Sequence, residues 1–238
     1  MKITEHLAML EISNERTIFP VLVWDDQNLV LIDTGFPGQF SLFQKAIEEN
    51  GFQLSQLTHI LLTHEDLDHI GCLKELVAAS PGVRVLAHHI EAESISGQAP
   101  PNKVMANAAK KELSPEEKEQ LEQRIANYKL YTVSVDQLLN DGEVIPLCGG
   151  IEVIHTPGHT AGHVCYYMIR DKVIMTGDTV GVNGDGLMGP VLMHTPYMEQ
   201  AVQSNRKLES TPAEALIAYH GGLFRGDVAA AIKALSQN

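Results

Sequence analysis

The sequence predicts an α/β fold in which short strands alternate with amphipathic helices and the strands of the two halves form facing sheets. Three observations carry this expectation. Apolar, β-type runs recur in both halves of the chain. Segments with apolar residues at helical spacing fall between them. A length of 238 residues with 44% hydrophobic content supplies a sizeable core. Against roughly 150 residues per domain, that length suits one generous domain.

Taken in order, Thr17 to Trp24 and Asn28 to Asp33 are β-branched and apolar, and the turn-like Asp25-Asp26-Gln27 between them predicts a hairpin feeding a sheet. Residues 40–50 place Phe40, Phe43, Ala46 and Ile47 at helical spacing, with Gly51 as a cap. His59 to Leu62 predicts a strand running directly into Thr63-His64, and Ile70, Leu73, Leu76 and Val77 then recur at helical spacing. Val83 to Ala87, Ile151 to His155, Val164 to Ile169 and Val173 to Gly177 read as strands, with helices near 196–207 and 222–236.

The stretch at about 97–130 differs in texture and is read as a helical insertion in the single domain 1–238. Gln98 to Asn102 is loop-like, and Ser114-Pro115-Glu116-Glu117 then forms a capping box with proline at the first helical position. Leu121, Ile125 and Tyr128 give the helix that follows one apolar stripe. The stripe suits a peripheral packing element or, alternatively, a lid over an active site.

Charge removes several function classes. Seventeen Lys and Arg against thirty Asp and Glu give a net charge of −13, the wrong sign for releasing counterions from a phosphate backbone. Nucleic acid and anionic lipid surfaces are therefore not expected partners; a small molecule is. No apolar run approaches the roughly 18 residues that cross a bilayer. Met1 to His6 has no apolar stretch of signal-peptide type, which predicts a cytoplasmic protein. Cys72, Cys148 and Cys165 form no CxxC and predict buried free thiols rather than disulfides or a thiolate zinc cluster.

Histidine carries the chemistry. His64-Glu65-Asp66-Leu67-Asp68-His69 supplies two imidazoles and three carboxylates at a strand-to-helix turn, where open α/β sheets place ligands. Such a turn can aim His64 and Asp66 one way and Asp68 and His69 another, creating two adjacent metal positions. A solvated acidic turn is the bland alternative, and three later elements count against it. They are His155-Thr156-Pro157-Gly158-His159-Thr160-Ala161-Gly162-His163, Thr176-Gly177-Asp178-Thr179 and Tyr219-His220-Gly221-Gly222, each placed at a strand end.

In this order, LIDTG (31–35), THEDLDH (63–69), TPGHTAGH (156–163), TGDT (176–179) and YHGG (219–222) resemble the metallo-β-lactamase superfamily. The resemblance implies an αβ/βα sandwich of two mixed β-sheets flanked by helices, with a dinuclear metal site along one edge. Matched by position, it implies that His64, Asp66 and His159 bind one metal, that Asp68, His69 and His220 bind the other, and that Asp178 bridges them. Imidazole and carboxylate together suit zinc, iron and manganese. A hydroxide between two such ions is the expected nucleophile for an ester-type bond, since coordination lowers the pKa of water from about 15.7 toward 7. Asp68 is then a catalytic candidate that orients the nucleophile and passes a proton to the leaving group.

The superfamily's hydrolases more commonly carry histidine where this chain has Asp66. A carboxylate is harder and anionic, which moves preference from zinc, the first expectation, toward iron or manganese. It also resembles the flavodiiron branch, so a diiron oxidoreductase fed by an external electron donor is one alternative. A non-catalytic binding protein of the same fold is another, disfavoured because all seven positions hold competent ligands.

The remaining residues have lesser expected roles. Asp33 is expected to orient a ligand or loop, and His155 and His163 to hold the loop around His159. Glu65 and Leu67 are expected to point away into packing or solvent, and His88 and His89 to lie on the surface. Cys72 is expected to be buried and inert. Tyr197, after Pro196, is a catalytic candidate for oxyanion stabilisation by resemblance to lactonases and thioesterases, with a core or surface tyrosine as the alternative. Only 18 residues follow His220, which disfavours a glutathione thioester of the glyoxalase II type. The acidic charge disfavours nuclease branches, and the lack of an export signal disfavours a secreted β-lactamase. A small, uncharged or apolar-tailed ester or lactone remains.

Overall fold

The structure, a computed structural model, describes residues 1–235. In chain order, its first half carries strands β1 (Leu7–Met9), β2 (Ile12–Ser13), β3 (Thr17–Ile18), β4 (Val21–Trp24), β5 (Leu29–Ile32), β6 (His59–Leu62), β7 (Arg84–His88) and β8 (Gln137–Leu139). Helices α1 (Phe40–Glu49), α2 (Leu67–Ile70), α3 (Leu73–Ala79), α4 (His89–Ile95), α5 (Asn102–Ala108) and α6 (Pro115–Tyr128) connect them. Six strands form a mixed sheet in the order β1-β4-β5-β6-β7-β8, antiparallel from β1 to β5 and parallel from β5 to β8. Pro20, which has no N–H to give a ladder, separates β3 from β4 within the expected Thr17–Trp24 run.

The second half carries β9 (Val144–Ile145), β10 (Ile151–His155), β11 (Val164–Met168), β12 (Val173–Met175), β13 (Gly181–Asn183), β14 (Gly186–Met188), β15 (Ala215–Ala218) and β16 (Gly222–Arg225), with helices α7 (Met198–Leu208) and α8 (Val228–Leu235). Its six-stranded sheet runs β16-β15-β12-β11-β10-β9, with β12 and β15 parallel and the other neighbours antiparallel.

Period-two alternation explains the layering. In the second sheet Val153, Tyr166, Met168, Met175 and Ile217 belong to one buried cluster with residues of the first sheet, including Leu31, Ile32, Leu61 and Leu86. Their neighbours Ile154, Cys165, Tyr167, Ile174 and Leu216 cluster instead with Leu208 of α7 and with Val228 and Ile232 of α8. One face of the sheet therefore packs on the other sheet and the opposite face packs on helices, as alternating Cβ directions require. On the first sheet α1 contributes Phe43 and Ile47 and α3 contributes Leu73 and Leu76, all completely buried. The result is a helix–sheet–sheet–helix sandwich, the fold class the sequence predicts.

One sequence expectation is corrected. The helix expected over 222–236 begins only at Val228, because Gly222–Arg225 pairs with β15 as an edge strand. Gly221 and Gly222, at φ +114° and +88°, make the reversal that sends this strand back along β15. Residue 236 lies outside the described residues. In the 97–130 segment the capping box forms as expected: the Glu117 N–H donates to Ser114 Oγ at 3.2 Å, and Glu117 Oε2 accepts from the Ser114 N–H at 2.9 Å. Among the described residues no helix is long and apolar enough to cross a membrane.

Candidate metal centre

The chemistry-bearing loops gather where strands of both sheets end. Asp33 follows β5, Thr63 to His69 follow β6, residues 156–163 join β10 to β11, Asp178 lies just past β12 and His220 just past β15. Two bonds lock the sheets beside this edge: the Val164 N–H donates to the Thr63 carbonyl at 3.0 Å, and the Tyr166 hydroxyl donates to the Leu62 carbonyl at 2.8 Å. The structure thus brings together all seven side chains singled out as ligands.

They form two groups that share Asp178: His64, Asp66, His159 and Asp178, and Asp68, His69, Asp178 and His220, each with its ligand atoms within 4.8 Å of one another. In the first group, Asp66 Oδ2 lies 3.4 Å from His64 Nε2 and 3.0 Å from His159 Nε2, and Asp178 Oδ2 lies 3.3 Å from His159 Nε2. In the second, Asp178 Oδ1 lies 3.2 Å from His69 Nε2 and 3.5 Å from His220 Nε2, with Asp68 Oδ2 3.2 Å from His220 Nε2. A tetrahedral ion with ligands at about 2.1 Å sets them roughly 3.4 Å apart, so the spacing fits a divalent cation in each group. His64 Nε2, His69 Nε2 and Asp178 Oδ1 are buried without a hydrogen-bond partner. Orphaned buried polar atoms are rare unless something else satisfies them.

Neighbouring residues fix the rings. Asp33 accepts the Thr63 N–H and the Thr63 hydroxyl, each at 2.8 Å, and its Oδ2 lies 2.9 Å from His69 Nδ1. The carboxylate can only accept there, so Nδ1 carries the proton and the Nε2 lone pair faces the centre. Asp33 sits at φ +64°, an uncommon conformation for a residue with a Cβ. Tyr219 donates from its hydroxyl to the Asp68 carbonyl at 2.5 Å and packs its ring 3.9 Å from that of His69. His163 Nε2 accepts the Asp178 N–H at 3.1 Å, and its Nδ1 lies 2.8 Å from Thr156 Oγ1. His155 Nε2 lies 3.0 Å from the Ala161 carbonyl. Both histidines hold the loop, in their expected role.

The electrostatics favour the ligand form of the three carboxylates and of His64. Burial pushes the Asp66, Asp68 and Asp178 carboxyls up, but adjacent imidazoles outweigh it and hold all three below the ordinary 3.8, Asp66 and Asp178 well below. Burial and the neighbouring His69 bring His64 down to about 4. Burial also opposes protonation of His69 and His220, yet the carboxylates, led by Asp33 for the former and Asp68 for the latter, pull both above 6.5. Ionised carboxylates are thus concentrated at a largely dry edge, an arrangement that a cation relieves.

Above the centre opens a cavity of about 710 Å³. Glu65, Asp66, Asp68, His159, Asp178 and His220 form its floor. The 97–130 segment walls one side with Lys103, Val104, Arg124 and Tyr128, and Met188, Val191 and Met193 stand on another. Glu65 and Leu67 pack, one of the two places expected for them: Glu65 is completely buried, with Oε1 accepting the Lys103 N–H at 2.8 Å, Leu67 packs against the main core, and both also line the cavity. Two expectations need correction. His88 is buried rather than superficial, stacked 4.4 Å from the His155 ring, while His89 is exposed. Tyr197 is 42% exposed and is not among the cavity's lining residues. Its N–H bonds to the Gly158 carbonyl at 3.2 Å, so the residue seats the start of α7 on the His159 loop. Cys72 is buried, and burial pushes its thiol up to about 12.

Sequence reasoning missed Lys103 and Glu91. Lys103 Nζ contacts Asp66 Oδ2 and lies 2.7 Å from His159 Nε2. Glu91 is completely buried and accepts the N–H groups of Glu65 at 3.0 Å and Gly162 at 2.6 Å. No local signal marks either residue, since each meets the centre only after the β7–β8 connection folds over it.

A family model described as the metallo-beta-lactamase superfamily matches residues 14–220. The chain is 28% identical over 232 residues to a probable metallo-hydrolase, YflN, of Bacillus subtilis, covering 91% of this chain and 83% of that protein. It is 32% identical over 197 residues to a hydroxyacylglutathione hydrolase of an Enterobacter species, covering 83% of this chain but only 58% of that relative's length. Among solved structures, the metallo-beta-lactamase family protein TTHA1429 from Thermus thermophilus superposes with a TM-score of 0.73 at 20% identity, covering 98% of this chain and 79% of that one.

Proposed function

The chain belongs to the metallo-beta-lactamase superfamily, and from that premise we propose that it hydrolyses an ester-type bond, thioester or lactone, of a small molecule with the help of two divalent cations. The observation that carries this reading is the shared carboxylate: Asp178 turns Oδ2 to His159 and Oδ1 to His69 and His220, so two ligand sets meet on one side chain at the floor of a cavity. When bound, the cations supply Lewis acidity and a water acidified toward neutral pH. Zinc suits the histidines, and Asp66 extends the choice to iron or manganese.

The protein's own residues do the rest. Asp33 keeps the His69 proton on Nδ1. His163 fixes the Asp178 main chain. Asp68, 22% exposed at the cavity floor, takes the proton of the attacking water and returns it to the departing alkoxide or thiolate. The wall of Val104, Tyr128, Met188 and Val191 receives the apolar part of the acyl group and limits water around it. The similarity to a hydroxyacylglutathione hydrolase supports a thioester among the ester-type bonds, against the expectation drawn from the short segment after His220. The hydrolase relatives also support hydrolysis over a flavodiiron-type reduction, and the complete ligand set supports an enzyme over a binding protein.

A panel of glutathione thioesters, other acyl thioesters and lactones tests the reading. Wild-type protein is expected to turn over at least one class, to lose that activity on chelation and to regain it with zinc, iron or manganese. Asp178→Asn is expected to retain its circular dichroism spectrum and lose about a hundredfold or more in turnover. Wild-type rates in that variant would remove the proposal.

A further inference from the structure

We propose that Lys103 is a built-in cation of the first ligand group, so that the two metal positions are unequal: the Asp68–His69–Asp178–His220 group fills first, and an ion enters between Asp66 and His159 only as the Lys103 ammonium withdraws. This rests on the metal-dependent reading above and adds an order and a gatekeeper to it.

The geometry argues for exclusion rather than coexistence. An ammonium has donors and no acceptor. Its contacts with Asp66 Oδ2 and, at 2.7 Å, with His159 Nε2 therefore use the lone pairs that a metal ion needs. Those two ligand atoms are 3.0 Å apart, and Nζ lies against both, at the apex where an ion bonding both would sit. The placement is anchored. The Lys103 main-chain N–H donates to Glu65 Oε1 at 2.8 Å, which ties the first turn of α5 to the turn that carries His64 and Asp66. The Lys103 side chain is only 13% exposed, so its charge is held against the centre rather than in bulk water.

The second group is different. Asp68 and Asp178 form ion pairs only with histidines among the described residues, and no ammonium or guanidinium enters that set. Asp66 and Lys103 also account for each other. A carboxylate at that position gives a buried ammonium its counter-charge, whereas an imidazole would offer at most one neutral lone pair.

Titration of metal-depleted protein with zinc or cobalt(II), followed by calorimetry and by the cobalt ligand-field spectrum, tests the order without any substrate. Wild-type protein is expected to take one equivalent tightly and a second at least about tenfold more weakly. Lys103→Met keeps the chain length and the main-chain anchor but removes the charge. It is expected to tighten the second equivalent about tenfold or more and to leave the first within about threefold, while Lys103→Arg retains the gap. Two equivalents of equal affinity in wild-type protein, or a second step unmoved in Lys103→Met, would overturn the inference while leaving the hydrolase reading intact. Failure to bind any metal would overturn both. The stepwise wild-type isotherm decides the matter even where a variant does not fold.

Discussion

Glu91 ties the turn that carries His64 and Asp66 to the loop that carries His159, through the N–H groups of Glu65 and Gly162. Burial, and then the Glu65 carboxylate, push its carboxyl up from 4.5 to about 8. The folded protein therefore keeps a proton that the unfolded chain gives up near pH 4.5. Stability from this residue is fully present below that pH and is lost as pH rises through about 8. Urea unfolding at pH 5, 7 and 9 should show wild-type stability falling relative to Glu91→Gln across this window, and parallel profiles would contradict the assignment. At this scale the sequence was legible where a residue sits inside a motif: Asp33 bonds His69, and His155 and His163 hold their loop. It was silent on Glu91, whose partners Glu65 and Gly162 lie 26 and 71 positions away, and on Lys103, whose partners Asp66 and His159 lie 37 and 56 positions away. His88 was misread because its stacking partner, His155, belongs to the other sheet.

Strand ends and the turns after them position the ligands, and one glycine shows how tightly. Gly158 has φ +140°, and a Cβ there would lie 2.4 Å from the main-chain nitrogen of Ala201 in α7. Ser204 of the same helix donates to the Pro157 carbonyl at 2.7 Å. Helix α7 thus rests directly on the turn that aims His159. Gly158→Ala is expected to cost roughly 2 kcal/mol or more of stability from strain and displacement and to weaken metal binding at the first group more than at the second. Unfolding curves and metal titration check both effects, and an unchanged unfolding midpoint would refute the seating argument. Elements such as α1 and β5 could be read from the sequence within a residue or two, whereas the run before the hairpin turn was read as one strand and breaks at Pro20. The strand Gly222–Arg225 could not, because four residues that begin with the second of two glycines show no period and only pairing with β15 makes them extended.

The two halves of the molecule are joined by a shared apolar interface and by the centre at its edge. His64, Asp66, Asp68 and His69 come from the first sheet's edge and His159, Asp178 and His220 from the second's. Ions bound there would bridge the halves and link metal affinity to folding. The sandwich was legible because its strands alternate between two apolar environments and its ligand motifs close strands in both halves. Of the cavity the sequence offered only the alternative that the 97–130 segment covers an active site; the wall near Met188 and Met193 was not legible, since those sequences fix local turns without fixing where they rest. The most direct measurement is elemental analysis of wild-type protein purified without chelators from metal-replete medium. At least one equivalent of a divalent transition metal per chain is expected, held until a chelator removes it. A folded protein that contains none, and takes up none when metal is added back, would contradict that expectation.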